Sequence, residues 1–280
     1  MVRLTLAPEL PAGDAGDPGL FAPDSMTWVV ARERALLLGG PAAVLLQLAH
    51  PLVAAGVAQY SDFGADPTRR LVATMNVSLA VMFGDRRQAA QAAARVRRRH
   101  ERVTGVLPAA HGRWPAGTPF RAADPALAMW VFSTLVTVGL DSYELFVGPL
   151  TRADRCRYYD ESAPFAAAFG VVPPVLPAGY AEFEDYYRST LHDQVAIGAA
   201  ARDVVRGLFT RWLGVLPVSP AAPVLAALLL PDHVRRGYRL PPVPRAVAWP
   251  VRQAVRRLPR AVRYWPHYFV ACRRVGRGPC

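Results

Sequence analysis

Proline divides this chain into helices. The 280 residues include 27 prolines, most of them placed between runs in which apolar residues recur three and four apart. That spacing marks helices with one buried face, and proline marks where such helices stop. The pattern predicts helices over 27–38, 41–60, 67–83, 86–104, 125–147, 152–168, 181–207, 219–230 and 244–275, the last broken at Pro250, Pro259 and Pro266. Pro173-Pro174 to Pro177 and Pro241-Pro242 to Pro244 read as rigid connectors. No alternating strand pattern persists, and no internal repeat is found. The expected fold class is all-α, a single large helical domain.

Caps separate two of these helices sharply. Asp66-Pro67 reads as a start, Gly84 as a stop, and Asp85 as the cap of the next helix. On the first helix Arg70, Thr74, Val77 and Val81 share a stripe, so a guanidinium and a hydroxyl project from one face. On the second, Ala89, Ala93, Val96, His100 and Val103 recur on one face, which predicts that His100 is carried inward. Arg95, Arg98, Arg99 and Arg102 then point largely elsewhere. Two readings of His100 stand together: a core histidine with a satisfied hydrogen bond, or a nitrogen ligand for a haem iron. Upstream, the nearly apolar segment 42–58 is interrupted by Gln47 and His50-Pro51. Proline inside a helix frees a carbonyl and predicts a kink, so His50 sits at a bend beside an apolar wall.

Short motifs in a fixed order carry a resemblance. They run from Arg34–Pro41 through Gln47-Leu-Ala-His50-Pro51 and Asp66–Thr74 to Phe83-Gly84, Val96–His100 and Val103-Thr-Gly105. Asp124–Val131, Tyr143-Glu144, Pro149-Leu150, Arg157–Glu161, Phe169-Gly170 and Leu176-Pro177 continue the series. As a set, over roughly Ala31 to Tyr187, they resemble the oxygenase family of the fungal mycophenolic-acid pathway enzyme, with the latex-clearing rubber oxygenases as more distant members. The resemblance implies an all-helical, partly globin-like core holding haem b. It implies His100 as axial ligand of the haem iron, with Arg70 and Thr74 on the distal side. Two departures stand out. Rubber oxygenases can place a lysine directly before that threonine, where this chain has Ala73 and contains no lysine at all, which excludes an internal lysine ligand. Many relatives also have histidine before the serine that follows the His-Pro motif, where this chain has Tyr60-Ser61.

Chemistry adds detail to that expectation. An axial imidazole donates its other ring N–H to an acceptor, for which Glu144 is a candidate. Arg97 and Arg98 could pair with haem propionates, because guanidinium binds carboxylate in bidentate fashion. His50 joins Arg70 and Thr74 as the polar contacts expected near bound oxygen. The expected function is a haem b-dependent oxygenase that activates O2 to oxidise a lipophilic small molecule, with C=C cleavage as the family's best-known outcome. Two alternatives remain open: a haem protein with dehydrogenase or peroxidase-like activity, and a haem-free helical module that docks on an acidic or membrane surface. Tyr158, Tyr159 and Glu161 read as structural. Glu182, Glu184 and Asp185 near His192-Asp193 raise a non-haem metal site, but no Glu-x-x-His pair supports it. No phosphate loop, dinucleotide fingerprint or nucleophile elbow is present.

Composition sets the remaining expectations. A chain of this length with 52% hydrophobic residues can bury one substantial core. The expected division is an N-terminal extension over 1–26, a haem-binding core over 27–206 and an arginine-rich C-terminal helical layer over 207–280. Three cysteines in no metal-binding spacing point to the reducing cytoplasm. No apolar run reaches the roughly 20 residues that span a bilayer, the 42–58 segment coming closest. Asp232 is the last acidic residue, and the twelve arginines after it equal the whole formal net charge of +12. Between them stand Trp249, Tyr264, Trp265, Tyr268 and Phe269. An anionic membrane surface met through residues 233–280 is one partner this suits, and a solvated tail is the plain alternative. Nucleic acid is not expected, since no recognised binding motif accompanies the charge.

Overall fold

The computed structural model describes the backbone of residues 10–60, 67–212 and 221–278, and the side chains of 10–60, 72–206 and 221–278. It is 65% helix and 4% strand, which places the chain in the all-α class. The first part runs α1 (Met26–Ala31), a 3-10 turn (Arg34–Gly39), α2 (Gly40–Leu48), α3 (Pro51–Tyr60), α4 (Pro67–Phe83) and α5 (Arg86–His100). A hairpin of β1 (Thr104–Val106) and β2 (Pro119–Arg121) follows, then α6 (Pro125–Phe146), α7 (Arg152–Glu161), α8 (Ala163–Ala168) and α9 (Tyr180–Asp193). The chain ends with α10 (Ala199–Trp212), α11 (Ala222–Leu229), α12 (Asp232–Gly237), a 3-10 turn (Arg245–Ala248), α13 (Trp249–Arg257), α14 (Arg260–Arg263) and α15 (Pro266–Arg274).

Local chemistry explains the sharpest boundaries. Asp124 accepts from the Ala126 N–H at 2.8 Å, with Pro125 at the first position of α6. Thr151 and Asp154 cap α7 reciprocally. The expected kink at His50-Pro51 is a true break: the axis up to Leu48 and the axis of α3 meet at 103°. The expected helix over 181–207 is also two, because the chain leaves α9 at Gln194 and the Ala196 N–H bonds the Ala49 carbonyl at 3.0 Å. The β1–β2 hairpin has no counterpart in the expected pattern, since three-residue strands are too short for alternation to register. Its pairing sets Gly105 opposite Phe120, and a Cβ on Gly105 would lie 2.7 Å from that ring.

α6 is the central helix. Met129, Phe132 and Leu140 face one core with Trp28, Phe83 and Tyr159, while Trp130, Val138 and Phe146 face a second core with Leu45, Leu46 and Leu228. A helix buried on two sides is apolar nearly all round, and α6 is therefore long and apolar enough to cross a bilayer, although sequence reading singled out 42–58 instead. The C-terminal residues enter both cores: Tyr264, Trp265 and Tyr268 join the first, Tyr238 and Val255 the second. Near the start of the family-like motifs, Glu33 is fully buried and accepts Arg263 Nε and Nη2, each at 2.7 Å. The Trp265 N–H bonds the Arg32 carbonyl at 3.0 Å, tying the two ends of the chain together.

Candidate functional site

The helical hairpin α4–α5 is built around its turn. Gly84 ends α4 with its N–H on the Ala80 carbonyl, and a Cβ there would lie 2.3 Å from that oxygen. Asp85 then caps α5, accepting from the Gln88 N–H at 2.7 Å while Gln88 Oε1 accepts from the Asp85 N–H at 3.0 Å. The expected cap Asp66 at the start of α4 lies outside the described residues.

Along α5 the apolar stripe is buried at Ala89 and Ala93, half-buried at Val96, and exposed at His100. The inward burial expected of His100 is thus not what the structure has. Residue spacing fixes the face of a helix, but neighbouring elements decide whether that face is covered, and here the cover ends one turn short. At a rise of 1.5 Å per residue, His100 stands about 22 Å along α5 from the turn, level with the first turn of α4, which holds Arg70. The side chain of Arg70 lies outside the described residues. Thr74 and Ala73 are exposed on α4, with Val77 half-buried beside them. Arg97 Nη1 donates to the Ala168 carbonyl at 2.6 Å, so this cation braces α5 against the end of α8. Arg98 is exposed. Helix α10 packs on both α3 and α4.

His50 has the opposite character. It is 1% exposed, with ring centroids of Trp114 and Trp130 at 5.2 and 6.4 Å. Its Nδ1 accepts from the Leu52 N–H at 3.3 Å, and the ring also bonds the Gln194 side chain. Desolvation pushes its pKa down to about 4, so the imidazole is neutral at pH 7. Gln194 is held in turn, its carbonyl accepting Trp114 Nε1 at 3.1 Å. Trp114 and Gln194 lie on segments far apart in the sequence, and no spacing pointed to them.

Glu144, the candidate acceptor for His100, is paired elsewhere. It accepts Arg155 Nε at 3.2 Å and Arg155 Nη2 as well, while Asp141 lies 3.4 Å from the same Nη2. Desolvation raises the Asp141 carboxyl above its usual range. Tyr159 donates to the Pro177 carbonyl at 2.7 Å, and Glu161 holds the Thr27 N–H and Arg157, which are structural contacts. Glu182 accepts from the Ala178 N–H ahead of α9, and His192 pairs with its exposed neighbour Asp193. Among the described residues no three His, Cys, Asp or Glu side chains converge on one ion position. A cavity of about 70 Å³ lies between α3, α10 and the loop after β1, lined by Ala55, Gln59, Leu107, His111 and Ala201.

No curated protein and no solved structure matches the chain. Residues 27–264 match the family described as ER-bound oxygenase mpaB/B'/rubber oxygenase, catalytic domain. That span includes α4, α5, His50 and the Glu33–Arg263 pair that joins its two ends. The chain therefore belongs to the mpaB/rubber oxygenase family, whose name implies oxygenase chemistry.

Proposed function

We propose that the chain is a haem b-dependent oxygenase acting on O2 and a lipophilic small molecule, with His100 as the axial ligand. The observation that carries this reading is the exposed imidazole at the end of α5, inside the segment matched to an oxygenase family. The donor set fits haem in kind. His100 is accessible, whereas His50 is enclosed and hydrogen-bonded within the core. Exposed Arg98 suits a propionate, and Arg97 steadies the helix that presents the ligand. The cavity near His111 does not fit, since its volume of about 70 Å³ is far below the roughly 300–1,000 Å³ of small-molecule sites. In this reading the helices of 27–206 form a globin-like cradle.

Bound haem would supply the redox chemistry, including C=C cleavage as the outcome best known for the family. The chain's own residues bind, orient and select. Ligation would use an imidazole nitrogen lone pair of His100, which α5 carries at its C-terminal end. Thr74 offers an O–H donor from α4, and Arg70, one turn earlier in the sequence of that helix, is a residue that stays charged at any working pH. Ala73 offers no ligand between them, so the side of α4 that carries Thr74 stays open to a substrate. His50 acts at a distance, holding the bend from which α3 departs. Three cysteines in no metal-binding spacing suit a reducing cytoplasm.

Oxygen uptake by the haem-loaded protein over a panel of lipophilic alkenes tests the reading. Thr74→Val and Arg70→Gln should lower turnover about 10- to 100-fold while haem stays bound. Full turnover in both variants would remove these residues from the mechanism. A second reading, a helical module that docks through its basic end without haem, is favoured by the twelve arginines and no carboxylate after Asp232.

A further inference from the structure

The structure divides the basic C-terminal region into two unlike parts. Tyr264, Trp265, Tyr268 and Cys272 are buried in the core, Arg263 is paired with Glu33, and Arg274 is buried with its Nε on the Asp17 carbonyl. These groups cannot meet a partner without unfolding the end of the chain. The preceding stretch is turned outward. Val247, Trp249, Leu258 and Val262 are 49%, 63%, 42% and 51% exposed, an unusual density of large apolar side chains in water. Arg256, Arg257 and Arg260 are exposed among them and make no ion pair among the described residues.

Helix α13 shows how the two characters share one surface. Val251 is half-buried and Val255 buried, four residues apart, so they turn that side of the helix to the protein. Trp249, Gln253, Arg256 and Arg257 fall at i, i+4, i+7 and i+8, which sets the indole and two guanidinium groups on the opposite side. Leu258, Pro259, Arg260 and Val262 continue the exposed run beyond the helix.

We propose that the face formed by Val247, Trp249, Arg256, Arg257, Leu258, Arg260 and Val262 docks on the surface of an anionic lipid bilayer. This sharpens the docking reading above and does not depend on haem. Charge complementarity selects the occupant: no Asp or Glu occurs from residue 233 to 280, so the segment itself carries no acidic side chain to repel phosphate. The exposed apolar groups separate a bilayer from a plain polyanion. An indole and branched aliphatic side chains gain by entering the headgroup region, where arginine stems can reach phosphates, and gain nothing on a nucleic-acid backbone. Each basic contact at such a surface multiplies partitioning about fivefold.

The test is sedimentation of the full chain with vesicles of phosphatidylglycerol and phosphatidylcholine, against vesicles of phosphatidylcholine alone. The proposal expects binding to the anionic vesicles that weakens at high salt. Replacing Arg256, Arg257 and Arg260 together with glutamine should lower partitioning about 100-fold. Arg87, Arg95 and Arg99, exposed on α5, provide a control of equal charge, and their triple glutamine variant should change it no more than about threefold. Trp249→Ala should weaken binding about tenfold without altering the salt dependence. Equal loss in the two triple variants would overturn the proposal in favour of diffuse charge. Absence of vesicle binding, or tighter binding to duplex DNA that the vesicles cannot displace, would overturn it as well. Far-UV circular dichroism confirms that each variant is folded.

Discussion

Two histidines on apolar helical stripes end in opposite situations. His50 stands where one helix breaks into the next, and the break brings Trp114, Trp130 and Gln194 around it from three other segments. His100 stands at the end of a helix, with its sequence neighbours turned to solvent. The first is enclosed, neutral and hydrogen-bonded; the second is exposed to solvent. Burial thus follows from what converges on a residue, not from its place on an apolar stripe.

If that contrast is sound, changes around His50 affect stability and changes around His100 affect function. The largest effect is expected for Trp130→Ala. Trp130 is 1% exposed, stacks on Tyr187 at 5.9 Å and lies against His50. Its loss should cost about 3–5 kcal/mol in urea unfolding. A cost under about 1 kcal/mol would mean that the region around His50 is not tightly packed.

Glu33→Gln should follow at about 3 kcal/mol, because it leaves the Arg263 guanidinium without its buried partner. Arg263 keeps 20% of its side chain exposed, so water can soften that loss and the lower end of the range applies. Thermal unfolding at pH 7 measures it, and an unchanged midpoint would show that the pair does not hold the two ends of the chain together.

The pH dependence comes next. His50 has its pKa lowered from 6.5 to about 4 on folding, so between those values the unfolded chain binds a proton that the native one does not. Stability therefore rises with pH through this window and falls as pH drops from 6.5 towards 4. Between pH 7 and pH 5 this contribution is about 2 kcal/mol. The His50→Gln variant, starting from lower stability, should lack that part of the slope. Parallel stability curves for the two proteins would contradict the assignment of a buried neutral ring.

The smallest effect belongs to the open end. Thr74→Val and Arg98→Gln should change unfolding free energy by no more than about 0.5 kcal/mol, as exposed positions do. A loss of 2 kcal/mol in either would show that α4 and the end of α5 support the fold rather than a bound group.

Much of this was legible from the sequence, for identifiable reasons. The cap at Asp85, the helix that begins at Pro125, and the break at His50-Pro51 are local devices, decided within a few residues, and each stands where the sequence places it. The hairpin at Gly105 and Phe120, the enclosure of His50 by Gln194, and the pairing of Glu144 with Arg155 are long-range contacts with no fixed spacing. The aromatic residues of the basic region show the same limit. Trp249 and Trp265 look alike in sequence, yet one is 63% and the other 6% exposed, because only the second reaches the core beside Arg32.

The most direct test of the account is the absorption spectrum of the full chain after addition of haem, recorded for the parent protein, His50→Gln and His100→Ala. The account predicts a Soret band in the parent and in His50→Gln, and its loss or a clear shift in His100→Ala. An unchanged band in His100→Ala, or its loss only in His50→Gln, would contradict it.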